Sequence, residues 1–73
     1  MVLKPDHSRK VEYRLYFSEG QTRFFLADII AHDGMEHPQF TVEWRRAMTF
    51  HELQTAIAYG RRLRAMGYQM HVL

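Results

Sequence analysis

The spacing of apolar residues changes period once along this chain, from strict alternation to helical repetition. Apolar side chains occupy every second position from Val11 to Phe17, which is typical of a half-buried β-strand. Between Leu53 and Leu63 they recur three or four positions apart, which is typical of an amphipathic helix. One helix covers one face of a small sheet, so the two patterns together predict an α+β fold.

Two strands are predicted in the first half of the chain, at residues 10–17 and 22–32. A turn at Glu19-Gly20 would join them, since glycine adopts the positive φ that tight hairpins require. This turn would pair Leu15 with Phe24 and fix which side chains face the helix. The side chains of the second strand that are expected to face the helix are Phe24, Leu26 and Ile30.

The second half of the predicted sheet is interrupted by a loop at residues 32–38, because Asp-Gly favours a turn and proline disrupts strand pairing. Alternation resumes at residues 39–46 and predicts a third strand. A short last strand is expected at residues 68–73. The predicted inward side chains of the third strand are Phe40, Val42 and Trp44. The resulting order is β-β-β-α-β, with an antiparallel-rich sheet and one helix on one face.

The helix is predicted over residues 49–66 from signals at both ends. Thr49 and Glu52 match a capping box, in which each side chain bonds a free backbone N–H of the first turn. Gly67 suits the left-handed position that ends many helices, and Tyr68 would then contact Leu63.

The length and composition indicate one small domain at residues 10–73, preceded by a flexible tail at residues 1–9. There is no cysteine, so disulfides and thiolate zinc sites are excluded. The first ten residues are polar and lack the apolar core of a secretory signal. No apolar run approaches the length of a membrane-spanning helix. We therefore expect a cytoplasmic protein without a membrane partner.

Catalytic and metal-binding motifs are missing from the sequence, so no enzyme activity and no cofactor are expected. The two serines lie in the predicted tail and a turn, and no glycine-rich phosphate loop occurs. His32, Asp33, Glu36 and His37 are close in sequence, but their spacing matches no zinc pattern. Solvent-exposed histidines are the favoured interpretation.

Charge is distributed unevenly, although the net charge is only +2. Residues 1–43 carry five basic and seven acidic side chains, whereas residues 44–73 carry five arginines and one glutamate. Three of those arginines lie at the end of the helix, where cations complement the helix dipole. The excess therefore has a structural explanation as well as a functional one, in which it would bind an anionic partner.

The sheet face turned away from the helix is the predicted site of function, because it mixes aromatic rings with arginines. It is expected to carry Lys10, Arg14, Tyr16, Arg23, Phe25, Ile29, Arg45 and His71. The candidate partner-binding residues are Arg14, Tyr16, Arg23, Phe25, Ile29, Arg45, Arg61 and Arg62.

Two functions fit this face. The first is a non-enzymatic protein that occupies the surface of a partner protein, with a homodimer as a possible component, since aromatic residues and arginine are common interface anchors. Small inhibitors encoded by phages or mobile elements are one such class of protein, although no motif in this sequence is specific to them. The alternative is a nucleic-acid-binding module that stacks bases on Tyr16 and Phe25. Glu12 and Glu43 on the same face favour the protein partner over a phosphate backbone.

Overall fold

The computed structural model describes residues 11–73, and within them it confirms the α+β class. Four strands form one antiparallel sheet in the order β3-β2-β1-β4. The elements are β1 (Leu15–Glu19), β2 (Thr22–His32), β3 (Met35–Thr41), a 3-10 turn (Trp44–Arg46), α1 (Leu53–Ala65) and β4 (His71–Val72). The predicted tail at residues 1–9 lies outside the described residues.

The hydrophobic core lies between α1 and one face of the sheet. Leu15 of β1, Leu26 of β2 and Leu63 of α1 are its fully buried large side chains. Ala56 and Gly60 are also buried, and their small size lets α1 lie close to β1. Leu53 and Ile57, which the helical spacing also placed on the buried stripe, are exposed. Phe17, Phe24, Phe40 and Tyr68 extend the core with ring centroids 4.9–5.8 Å apart.

The hairpin between β1 and β2 turns at Gly20-Gln21, one residue later than predicted. Phe17 therefore lies opposite Phe24, and the predicted pairing of Leu15 with Phe24 is wrong by two positions. Because side chains alternate with a period of two, a shift of two leaves each on its predicted face. Leu15 and Leu26 still face the helix.

A β-bulge in β2 changes which isoleucine faces the helix. The register to β3 shifts between Leu26 and Asp28, so Ala27 is an extra residue. Beyond it Ile29 packs against the core, and Ile30 is 47% exposed. The prediction had these two reversed, because it assumed unbroken alternation through β2.

The third strand begins four residues earlier than predicted. Asp33 and Gly34 have φ values of 54° and 74°, the pattern of a two-residue type I′ hairpin. Met35 follows directly as the first residue of β3. Pro38 is accommodated because β3 is an edge strand, where a missing N–H leaves no ladder hydrogen bond unmade.

The chain leaves the sheet after Thr41, and residues 42–50, here called the crossing segment, run from the end of β3 to the start of β1. The backbone N–H of Met48 donates to the carbonyl oxygen of Leu26 at 2.8 Å. Phe50 then pairs with Tyr13 through two backbone hydrogen bonds of 2.7 and 2.8 Å. The predicted strand at 39–46 is therefore wrong beyond Thr41, and Trp44 is exposed rather than inward.

This strand-like pairing also delays the helix. α1 begins at Leu53 after Glu52, which has an extended backbone and makes no side-chain capping bond. Thr49 immediately precedes the bridge residue Phe50, so it is not the N-cap that the sequence predicted. The C-terminal prediction is confirmed. The N–H of Tyr68 donates to Leu63 O and that of Gly67 to Arg64 O, which together define a Schellman motif.

The two glycines of the helical region should respond oppositely to the same substitution. Gly60→Ala should raise the free energy of unfolding by about 0.5–1 kcal/mol, because alanine is the better helix former. An added Cβ would lie 3.6 Å from Leu15 Cδ2, an ordinary contact. Gly67→Ala should lower it by about 1–2 kcal/mol, because φ there is +105°. Urea unfolding measures both, and a larger loss for Gly60→Ala would contradict the packing described.

Candidate partner-binding surface

The sheet face turned away from α1, here called the open face, carries a row of side chains across three strands. Tyr16 of β1 lies opposite Phe25 of β2 and His71 of β4. The Tyr16 ring centroid is 5.4 Å from that of His71. The guanidinium carbon of Arg23 lies 4.8 Å from the Tyr16 ring centroid, within cation–π range. Three rings thus form one row across neighbouring strands, with the Arg23 guanidinium over the middle ring.

Phe25 lies on the open face but is only 6% exposed. Its ring centroid is 5.9 Å from that of Tyr16, and its strand position is flanked by Thr41 of β3. A ring buried to this extent has little free surface on which a nucleic-acid base could stack. Phe25 therefore packs beside Tyr16 and does not itself present a binding surface.

The 3-10 turn places an aromatic side chain beside this row. Trp44 is 52% exposed, and the guanidinium carbon of Arg14 lies 4.3 Å from its ring centroid. The Nε of Arg14 also donates to the Trp44 carbonyl oxygen at 3.2 Å. The Arg14 side chain is only 14% exposed. Arg14 therefore fixes both the backbone and the ring of Trp44.

Further exposed apolar side chains lie on the far half of the β2–β3 hairpin and on the crossing segment. Ile30 lies opposite His37, and His32 lies opposite Met35. Met35 is 64% exposed and Val42 is 60% exposed. Cross-strand partners share a face, so Ile30 and His37 point the same way, opposite to core-facing Ile29. This hairpin extends the exposed apolar surface beyond the row centred on Tyr16.

The predicted arginines divide between the two sides of the molecule. Arg45 is exposed in the 3-10 turn beside Trp44, and Arg23 is exposed on the open face. Arg61 and Arg62 belong to α1, on the opposite side of the sheet. Arg62 forms an ion pair with Glu36 of β3, and this hydrogen-bonded carboxylate raises the pKa of the Arg62 guanidinium. Arg62 thus links α1 to β3, in the part of the β2–β3 hairpin near its turn.

Four predicted site residues are brought together on the open face: Arg14, Tyr16, Arg23 and Phe25. Arg45 follows Trp44 directly in the 3-10 turn. Ile29 packs against the core on the helix side, which corrects its predicted place on the open face. Arg61 and Arg62 lie on α1 as predicted, away from that face, and their role in partner binding stays a prediction. Sequence reasoning missed Trp44 and Ile30 as exposed residues. The Asp33-Gly34 turn would have located β3. A two-residue turn pairs His32 with Met35, and continuing this pairing along β2 ends β3 near Thr41.

Other kinds of site find little support in the part of the chain that is described. No group of three or more histidine, aspartate or glutamate side chains in residues 11–73 is arranged to hold a metal ion. None of the described helices is long and apolar enough to cross a membrane. Comparisons with protein-family models, with curated proteins and with solved structures found no match to this chain.

Arg14→Lys should loosen Trp44, because an ammonium group lacks the planar guanidinium that stacks on the ring while bonding the carbonyl. Trp44 is the only tryptophan, so its fluorescence reports this contact alone. We expect faster acrylamide quenching and lower emission anisotropy. Arg23→Lys is the matched control, since Arg23 contacts Tyr16 instead. Equal quenching in both variants would show that Arg14 does not hold the ring.

Proposed function

We propose that this chain is a small, non-enzymatic, cytoplasmic binding protein that occupies the surface of a partner protein through its open face. The observation that carries the proposal is Trp44, a half-exposed ring fixed in place by the largely buried Arg14. A large aromatic side chain that is already ordered loses little conformational entropy on binding. Tryptophan, tyrosine and arginine are also the side chains that most often dominate interface energies.

The composition around Trp44 supports a protein partner. Val42 and Trp44 are exposed apolar groups on the crossing segment, and Tyr16 and Arg23 lie on the adjoining sheet. An apolar centre with arginines at its border matches the usual anatomy of a protein interface. Arg45 extends that border on the C-terminal side of Trp44.

Electrostatics argue against a phosphate backbone as the main ligand. Glu12 lies 3.4 Å from Arg14, and Glu43 lies 3.6 Å from Arg46. These carboxylates offset two of the arginines near Trp44, and they would repel phosphates brought to the same surface. The nucleic-acid alternative is left with Arg23 and Arg45 as its main cations.

Such a surface can act by occlusion alone. Neither a nucleophile beside a base nor an oriented acid–base pair occurs among the open-face residues named above, so the surface supports docking without a reaction. Its effect on a partner would follow from covering a functional region of that partner. The specificity would lie in the shape presented by Trp44 and the side chains around it.

Capture of a partner from host extract should depend on Trp44. The wild-type chain and a Leu53→Ala control, altered at an exposed position of α1, should retain the same protein after nuclease treatment. Trp44→Ala should weaken its binding about 30-fold or more, as expected for an anchor residue. Retention by Trp44→Ala at wild-type strength would contradict the proposed surface.

Salt dependence separates the classes of partner. Affinity for a protein should change only modestly between low and physiological salt, whereas affinity for a nucleic acid falls steeply as counterions are released. Loss of the captured species on nuclease treatment, with a steep salt slope, would replace the protein partner with a nucleic acid. A doubled mass in light scattering that Trp44→Ala abolishes would identify a second copy of this chain as the partner.

A further inference from the structure

A groove of about 460 Å³ lies between α1 and β4, at the edge of the sheet. Its floor includes Leu15 and Gly60, where the absence of a side chain on the helix leaves depth. The groove is lined from α1 by Ile57, Arg61 and Arg64, and from the sheet side by Tyr16, Met70, His71 and Val72. A second hollow continues along α1 past Ile57 and Arg61. The groove is large enough for a few side chains of an extended peptide.

The β4 edge of this groove has an unpaired backbone position. Within residues 11–73, β4 lies at the edge of the sheet and pairs only with β1. Leu73 exchanges two backbone hydrogen bonds with Arg14, at 2.8 and 3.2 Å. Antiparallel ladders alternate between bonded and non-bonded pairs, so the N–H and C=O of Val72 point away from β1. They form one donor–acceptor pair at the mouth of the groove.

The charged side chains that line the groove are all basic. Arg61 and Arg64 border it from the helix, and His71 lies at its rim. None of the described residues that line it carries a carboxylate. Arg64 is positioned by a hydrogen bond from its Nη2 to the carbonyl oxygen of Met70 at 3.4 Å. Arg61 is exposed and lines both hollows, so it faces any ligand that follows the helix.

We propose that this groove binds an extended acidic segment of a partner protein, which adds a strand to β4. The segment would exchange backbone hydrogen bonds with Val72 and present carboxylates to Arg61 and Arg64. Its residue opposite Val72 would point into the groove, because Val72 shares a face with core residue Leu15. An apolar side chain fits there, against the exposed parts of Val72 and Ile57.

The same features disfavour a second copy of this chain as the occupant. Two β4 edges paired about a two-fold axis would bring Arg61 and Arg64 near their counterparts, and like charges across an interface are unfavourable. The proposal does not rest on the open-face function, although Tyr16 and His71 line the groove as well as standing in the open-face row. Arg61 lines the groove and Trp44 does not, so variants at these two positions test the two surfaces separately.

The probe is a fluorescein-labelled peptide with the sequence Glu-Thr-Val-Thr-Glu, whose glutamates and valine share one face of a strand. Fluorescence anisotropy should show saturable binding. A peptide with lysine in place of glutamate should bind at least about tenfold more weakly, as expected for reversed charge. N-methylation of the central valine should abolish binding, because it removes the N–H that would donate to the Val72 carbonyl.

Variants of the protein locate the site. Arg61→Glu should weaken the acidic peptide about tenfold or more, while Arg46→Glu, with the same charge change at an exposed position outside the groove, should leave it within about twofold. In ¹⁵N NMR the largest shifts should fall on Val72, Ile57 and Gly60, and Trp44→Ala should not alter them. No saturable binding, equal binding of the lysine peptide, or shifts confined to the open face would overturn the proposal. Peptide-independent dimerisation through β4 would do so as well.

Discussion

The backbone pairing of Tyr13 with Phe50 is the contact on which the arrangement of the second half of the chain depends. It bonds the end of the crossing segment to Tyr13, just before β1, so this segment must span the sheet between Thr41 and Phe50. The 3-10 turn within it is then held near β1, where Arg14 reaches both the carbonyl and the ring of Trp44. It also sets where α1 can begin.

The pairing explains why local sequence signals failed at one end of the helix and succeeded at the other. Two backbone hydrogen bonds hold Phe50 extended, whereas a capping box on Thr49 would require helical geometry at Phe50 itself. Among residues 11–73, Gly67 and its two chain neighbours aside, no heavy atom lies within 4 Å of the place where a Gly67 Cβ would stand, so the local preference for a left-handed residue decides the structure there. The α+β class, the helix and its C-terminal cap could therefore be predicted from the sequence, whereas the start of the helix could not.

The same distinction applies to the open face. Alternation placed Arg14, Tyr16, Arg23 and Phe25 on one face correctly, because β1 and the first half of β2 are regular. It misplaced Ile29, since a single extra residue at the bulge is invisible to a pattern with two adjacent isoleucines. It could not show that Phe25 is buried or that Trp44 is exposed, because both depend on where the crossing segment runs.

The two edges of the sheet differ in a way that bears on how the molecule avoids unwanted pairing. β3 carries Pro38, which presents no N–H at one position of its edge. β4 is protected by its length of two residues, which limits what a passing strand can bond. Backbone pairing with Val72 alone is weak, so recognition at this edge must draw most of its energy from side chains in the groove. Arg61 and Ile57 supply charge and apolar contact there, and a strand that lacks matching groups gains too little to stay bound.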